Sequence, residues 1–224
     1  MKRSHTRFVT AGAFVLLAAA NPTFAADHAE APGVTADPAA DLTDIYVWTT
    51  PDTTRLNLIL GVPAAAFSDA VQYVLHVESS TAYGRPGTTL RVICTFNAAQ
   101  QVSCWVGNSL DYVSGNANVP AGIVSQTGRT RVFTGRRNDP FFFNVDAFRR
   151  TIATVKAAAP SLTFDGAGCP VLDTATSNAL IASLQDGGDS FALGSVAAIV
   201  LQIDKSVIAP GGNIVAVWGG TYRQ

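Results

Sequence analysis

The chain has 224 residues, 48% of them hydrophobic and 14% charged, with 15 Lys and Arg against 16 Asp and Glu. That composition excludes an intrinsically disordered chain, and the near-even balance gives no basic excess for a nucleic-acid partner. Only Glu30 and Glu78 are glutamates, and an acid content dominated by aspartate favours turns and caps over long salt-bridged helices.

At the start, Lys2, Arg3 and Arg7 precede an uncharged apolar run over residues 8–20, followed by Asn21-Pro22-Thr23-Phe24-Ala25. This is the order of a secretory signal peptide, and the run falls short of the roughly 20 residues that span a bilayer. Small residues at Thr23 and Ala25 place cleavage after Ala25. The expected organisation is a signal peptide over 1–25 and a single β-rich domain over 26–224. Its location would be periplasmic or secreted, with no membrane span after cleavage.

Residues 26–40 read as an ordered, Pro- and Ala-rich loop. Short β-branched or aromatic runs bounded by Gly, Pro, Asn or Asp then predict strands at 45–49, 56–62, 73–79, 90–97, 101–107, 112–114, 130–134 and 141–145. The run Tyr73-Val74-Leu75-His76-Val77 is apolar at successive positions, as an interior strand requires. Asn144 or Asp146 is positioned to cap a helix running to Ala159 before Pro160, and Asp173 to cap one over 174–185 before Gly187-Gly188. Apolar strands at 196–203 and 214–218 close the chain. The sum is a mainly β fold of two packed sheets, a β-sandwich, with two short peripheral helices.

Cys94 and Cys104 flank a segment centred on Ala99. A hairpin with that centre sets the two cysteines opposite each other, close enough for a disulfide in an oxidising compartment. Cys169 is then left over.

Chemistry-bearing residues are few. The expected mature chain has two histidines, His28 and His76, and no G-x-S-x-G, H-E-x-x-H, Walker loop or G-x-G-x-x-G. His76 reads as a hydrogen-bonded core histidine or as a site residue. The run Asp37-Pro38-Ala39-Ala40-Asp41-Leu42-Thr43-Asp44 gathers hard oxygen ligands. Asp37, Asp41 and Asp44 are therefore candidate Ca²⁺ ligands, the alternative being N-cap and Asx-turn roles. In Gly135-Arg136-Arg137-Asn138-Asp139-Pro140-Phe141-Phe142-Phe143, Arg136, Arg137 and Asp139 are candidate ligand-binding residues. Two guanidiniums could clamp a carboxylate or phosphate, or the cluster could be an ion pair holding a turn. Cleavage after Ala25 would make His28 the third residue, where amine, amides and imidazole offer Cu(II) a square plane.

The opening, Asp27-His28-Ala29-Glu30-Ala31-Pro32 followed by Asp37 through Tyr46, resembles that of an uncharacterised bacterial family known as domain of unknown function 4331. The segment Gly135 through Phe142 looks like that family's second signature, and the C-terminal strands fit its ending. The resemblance implies an exported, β-rich domain and supplies no mechanism. Many such members are longer, with additional chain after the equivalent of His76. The leading expectation is a binding or scaffold module of unknown ligand and partner, with a structural Ca²⁺ as an option. The rival is an extracytoplasmic hydrolase using His28 or His76 with Asp41, Asp44 or Asp139, and the third reading is copper handling through His28.

Overall fold

Alternating burial along the strands decides the architecture: the strand over 55–62, for example, places Leu56, Leu58 and Leu60 inside and leaves the residues between them half-exposed. The computed structural model describes residues 32–223. The expected leader, the mature start at Ala26 and His28 lie outside the described residues. In chain order the elements are helix α1 (Pro32–Ala36), a 3₁₀ turn (Pro38–Ala40), and strands β1 (Ile45–Thr49), β2 (Arg55–Val62), β3 (Val71–Ser80), β4 (Thr88–Phe96), β5 (Val102–Val106), β6 (Asp111–Gly115), β7 (Ile123–Val124) and β8 (Thr130–Asn138). Helices α2 (Val145–Ala158) and α3 (Thr174–Gln185), strand β9 (Ser195–Asp204), the single-turn helix α4 (Lys205–Ile208) and strand β10 (Ile214–Arg223) follow.

Among the described residues the strands form two five-stranded antiparallel sheets, in the orders β1-β2-β9-β8-β7 and β10-β3-β4-β5-β6. Leu58, Leu60, Ile199 and Leu201 of the first sheet share one core with Val77, Val92, Val102 and Val106 of the second. The expected β-sandwich with peripheral helices is the fold observed. Tyr73 ties the leading segment to it. Its hydroxyl donates to the Ala39 carbonyl at 2.8 Å and accepts from the Ser68 amide at 2.9 Å. Burial pushes this phenol up to about 12.

The hairpin centred on Ala99 forms with Cys94 facing Cys104 and Phe96 facing Val102. The cysteines are bonded, with Cα atoms 4.2 Å apart, while Cys169 is free and exposed. Gln100 takes the left-handed conformation that closes the turn (φ 58°), and its side chain pins the backbone of Phe67 through bonds of 3.0 and 2.9 Å.

Three expectations are corrected. Within the expected loop 26–40, residues 32–36 form α1 and residues 38–40 a 3₁₀ turn. Residues 141–145 form no strand: the chain leaves the sheet at Asp139, and Asn144 caps α2 by accepting from the Ala147 amide at 2.9 Å. Strand β8 also runs four residues beyond the expected Thr134, because β9 supplies partners as far as Asn138. The Phe alternation survives without the strand. Phe141 and Phe143 stack at 5.6 Å in a cluster with Phe148 and Phe191, and Phe142 points outward at 81% exposure. Among the described residues no helix is long and apolar enough to cross a membrane.

Candidate functional site

The outward face of the first sheet brings together the two polar signatures of the sequence. Register alone does this. Tyr46 faces Ile59, Ile59 faces Val200, and Arg137 faces Val196 two residues before Ala198. Beyond Ile45 the pairing continues through Thr43 N to Gly61 O and Gly61 N to Asp44 O, both 3.0 Å. A side chain at 61 would collide with the Thr43 hydroxyl, so glycine is what lets residues 43 and 44 lie against β2.

The result is a cleft of about 270 Å³ with an aliphatic floor of Ile59, Val196, Ala198 and Val200. Thr43, Asp44 and Tyr46 form one wall, and Arg137, Asn138 and Pro140 the other. The Arg137 guanidinium lies 3.8 Å above the Phe133 ring and donates to the Arg136 carbonyl at 3.0 Å, which fixes its direction. Burial first, then the negative charges of Asp44 and Asp139, push the Tyr46 phenol above its usual range, so it stays protonated. The hydroxyls of Thr43 and Tyr46 are buried and have no hydrogen-bond partner among the described residues. Their hydrogen-bonding capacity is unused, in a cleft small enough for one metabolite-sized molecule. The lining contains no histidine, cysteine or lysine, and Asp44 is its one carboxylate.

The expected site residues distribute as follows. Arg136 and Arg137 are neighbours on a strand and point to opposite faces, so they do not clamp one anion together. Arg136 donates to the Ser195 hydroxyl and lines a separate cavity of about 240 Å³ with Phe67, Gln100 and Asn118. Asp139 accepts from the Phe141 amide at 3.0 Å and turns the chain out of the sheet. Asp37 caps the 3₁₀ turn by accepting from Ala39 N at 3.3 Å, and meets Arg223 at 3.6 Å. Asp41 is buried behind the same turn, whereas Asp44 stands at the cleft. Among the described residues no three His, Cys, Asp or Glu side chains are grouped closely enough to hold a metal. The aspartate run is thus spread along the sandwich edge. His28, the copper candidate, is outside the described residues.

His76 is not a core residue. It sits on the outward face of the second sheet, stacked on Trp218 at 5.2 Å, with Nε2 3.3 Å from the Tyr222 hydroxyl. Both sheets separate it from Asp44 and Arg137. Burial, then the Arg91 charge, hold its pKa below the ordinary 6.5.

A third cleft, of about 400 Å³, adjoins Asp111. This buried carboxylate accepts from Ser125 Oγ at 2.8 Å, Thr127 Oγ1 at 2.9 Å and Tyr112 N at 3.0 Å. The same hydroxyls receive the amides of Thr130 and Arg129 at 3.2 Å each. Asp111 therefore holds the β7–β8 turn against β6.

Sequence reading placed Asp44 and Arg137 among the candidates but passed over Thr43, Tyr46 and Asn138 as site residues. It also missed the aromatic residues Trp105, Tyr112, Trp218 and Tyr222. For Trp105 and Trp218 a signal existed: each alternates with apolar or small residues in a strand, which assigns it to the solvent face. Set against known proteins, the chain matches no protein-family model, no curated protein and no solved structure.

Proposed function

We propose that the chain is an extracytoplasmic binding module that holds a small amphipathic molecule in the cleft between Tyr46 and Arg137. The observation that carries this reading is the pair of buried hydroxyls, Thr43 and Tyr46, left without partners at that cleft. A buried polar group without a partner costs about 1–3 kcal/mol, and a ligand is one source of the missing bond. The aliphatic floor would take the apolar body, and the two hydroxyls with Arg137 would orient its hydrogen-bonding groups. Both segments that carry the resemblance to domain of unknown function 4331 contribute to this cleft, Asp44 and Tyr46 from one and Arg137, Asn138 and Pro140 from the other. Export is supported by the leader-like first 25 residues and by the Cys94–Cys104 disulfide. For the hydrolase reading, His76 and Asp44 lie on opposite outer faces and Asp41 is buried, while His28 lies outside the described residues.

The test does not require the ligand's identity. Thr43→Val and Tyr46→Phe remove the unspent hydroxyls while keeping the shape. In protein stripped by refolding each should raise stability by about 1 kcal/mol. In protein purified from its own compartment, mass spectrometry under native conditions should show a retained small molecule that both variants lose. Destabilisation by both substitutions, with nothing retained by the wild type, would show that the hydroxyls serve the fold.

A further inference from the structure

The core between the two sheets is not filled to its end. Along β9 the inward-facing side chains are Ile203, Leu201 and Ile199, and the series then drops to Ala197. Their partners along β8 are Thr130, Val132 and Thr134, and that series ends on Arg136, paired with Ala197. From the other side, Phe96 of β4 stacks on Phe67, with ring centroids 4.1 Å and planes 10° apart. The short side chain at 197 leaves between these groups the cavity of about 240 Å³ that Arg136 lines. Phe67, Phe96, Thr134 and Ala197 on its walls are each at most 6% exposed. The cavity is therefore an unfilled end of the core and not a dent in the surface.

Its mouth is polar and positively charged. Arg136 is exposed there, the one charged side chain among the described residues of the lining. Its guanidinium donates to the Ser195 hydroxyl, and among the described residues no carboxylate lies within ion-pair distance of it. A guanidinium carries five N–H donors, so several remain. Asn118 stands beside it. A side chain at 135 would collide with the Asn118 amide oxygen, so Gly135 is what allows Asn118 to lie against β8 at the cavity. Gln100, also in the lining, engages both ends of its amide with the Phe67 backbone and so fixes that wall.

We propose that this cavity is a second binding site, for a small aromatic monocarboxylate of the size of benzoate or phenylacetate. The ring lies between the sheets and the carboxylate meets Arg136, with the Asn118 amide beside it. Three features select that class. An apolar cavity of about 150 Å³ accepts benzene, so 240 Å³ takes a ring with a short acid arm. The Phe67–Phe96 pair gives the ring an aromatic wall to pack on. The guanidinium at the mouth can hold a carboxylate through two parallel hydrogen bonds while both stay partly hydrated, so no charge has to be buried. The lining offers no acidic partner to a cation. Arg136 faces inward and Arg137 outward, so this site stands independently of the function proposed for the Tyr46–Arg137 cleft.

The experiment is isothermal titration of the purified protein with benzoate and phenylacetate, with phenylacetamide as the neutral counterpart. Wild type should bind at least one of the acids with a dissociation constant of about 0.1–1 mM, as some ten heavy atoms allow. Phenylacetamide should bind about tenfold more weakly, and Arg136→Gln should weaken the acid by about the same factor, the loss of one charge-assisted pair. Arg136→Lys, which keeps the charge, should retain part of the binding. Ala66→Leu narrows the cavity from its exposed rim with the charge in place, and should weaken binding too. Arg85→Gln removes a charge from the exposed turn after β3 and should change nothing. The comparison of acid with amide needs no variant and so does not depend on any of them folding. Absence of binding by either acid at 10-fold above that range, or equal affinity for acid and amide, overturns the proposal. So does binding unchanged in Arg136→Gln or in Ala66→Leu. Binding lost in Arg137→Gln and kept in Arg136→Gln would also overturn it, by placing the acid in the other cleft.

Discussion

At the scale of single residues, the buried Asp111 carboxylate ties β6 to the turn before β8. Burial raises its pKa, but the side chains of Thr130, Ser125 and Thr127 and the Tyr112 amide outweigh it and hold the carboxyl below its ordinary 3.8. A depressed carboxyl pKa contributes stability that is fully present above the unfolded value of 3.8 and lost as pH falls through the lower folded value. Asp111→Ala should therefore lower stability by about 2 kcal/mol at pH 7, because two hydroxyls lose their acceptor. It should also flatten the acid limb of the stability curve below pH 4. Urea titrations at pH 7 and pH 3 check both points, and an equal deficit at the two values would place the contribution in packing. Residue parity also explains the fate of the double arginine. Adjacent residues in a strand address opposite faces, so the extension of β8 through Asn138 assigned Arg136 and Arg137 to different cavities. Nothing local in the sequence announces that extension, because Gly135 and Asn138 read as turn residues until β9 pairs with them.

At the scale of elements, the β4–β5 hairpin was legible because two local facts agree: the polar segment 97–101 is centred on Ala99, and the cysteines are equidistant from it. The helices were legible through their caps, Asn144 accepting from Ala147 and Asp173 accepting from Thr176 N at 2.7 Å. Strand β7 was not, since two residues make no pattern. The 141–145 segment was misread because three successive phenylalanines fit a strand propensity that a short aromatic cluster satisfies equally well. Both bonded cysteines are at most 1% exposed and face the core. By the chain-entropy account, closing a loop with a separation of 10 residues contributes about 2–3 kcal/mol. The double substitution Cys94→Ala/Cys104→Ala should cost about that much in denaturant titrations. Mild reductant should leave native wild type unchanged, because the bond is buried. Rapid reduction of the folded protein, or peptide mapping that finds Cys169 in a bond, would contradict this account.

At the scale of the whole molecule, the cleft depended on strand order and so was not legible from sequence. Asp44 and Arg137 lie 93 positions apart and meet only because β2 and β9 stand between β1 and β8. The same order turns residues 140–193 into an excursion from the β8–β9 hairpin. That excursion has its own stitching: Ser190 N to Phe143 O at 2.9 Å, Asn144 Nδ2 to Asp186 O at 2.8 Å, and Thr151 Oγ1 to Ser183 Oγ at 2.9 Å. It supplies no residue to the shared core, and α3 buries none of its side chains. At its base Asn138 faces Ser195, and Asp139 N donates to Gly194 O at 3.1 Å. Deleting 140–193 would join Asp139 directly to Gly194, leaving Asp-Gly as the two-residue loop of a hairpin. That dipeptide is among the sequences best suited to the type I′ turn whose twist matches the strands. The shortened protein should fold, keep the Cys94–Cys104 bond and lose the helical part of its circular dichroism. Its stability should stay within about 2 kcal/mol of the full chain, because the sandwich core is untouched and a shorter loop is easier to close. Circular dichroism with urea denaturation decides the matter. A shortened chain that does not melt cooperatively would show that the excursion is required for the sandwich to fold.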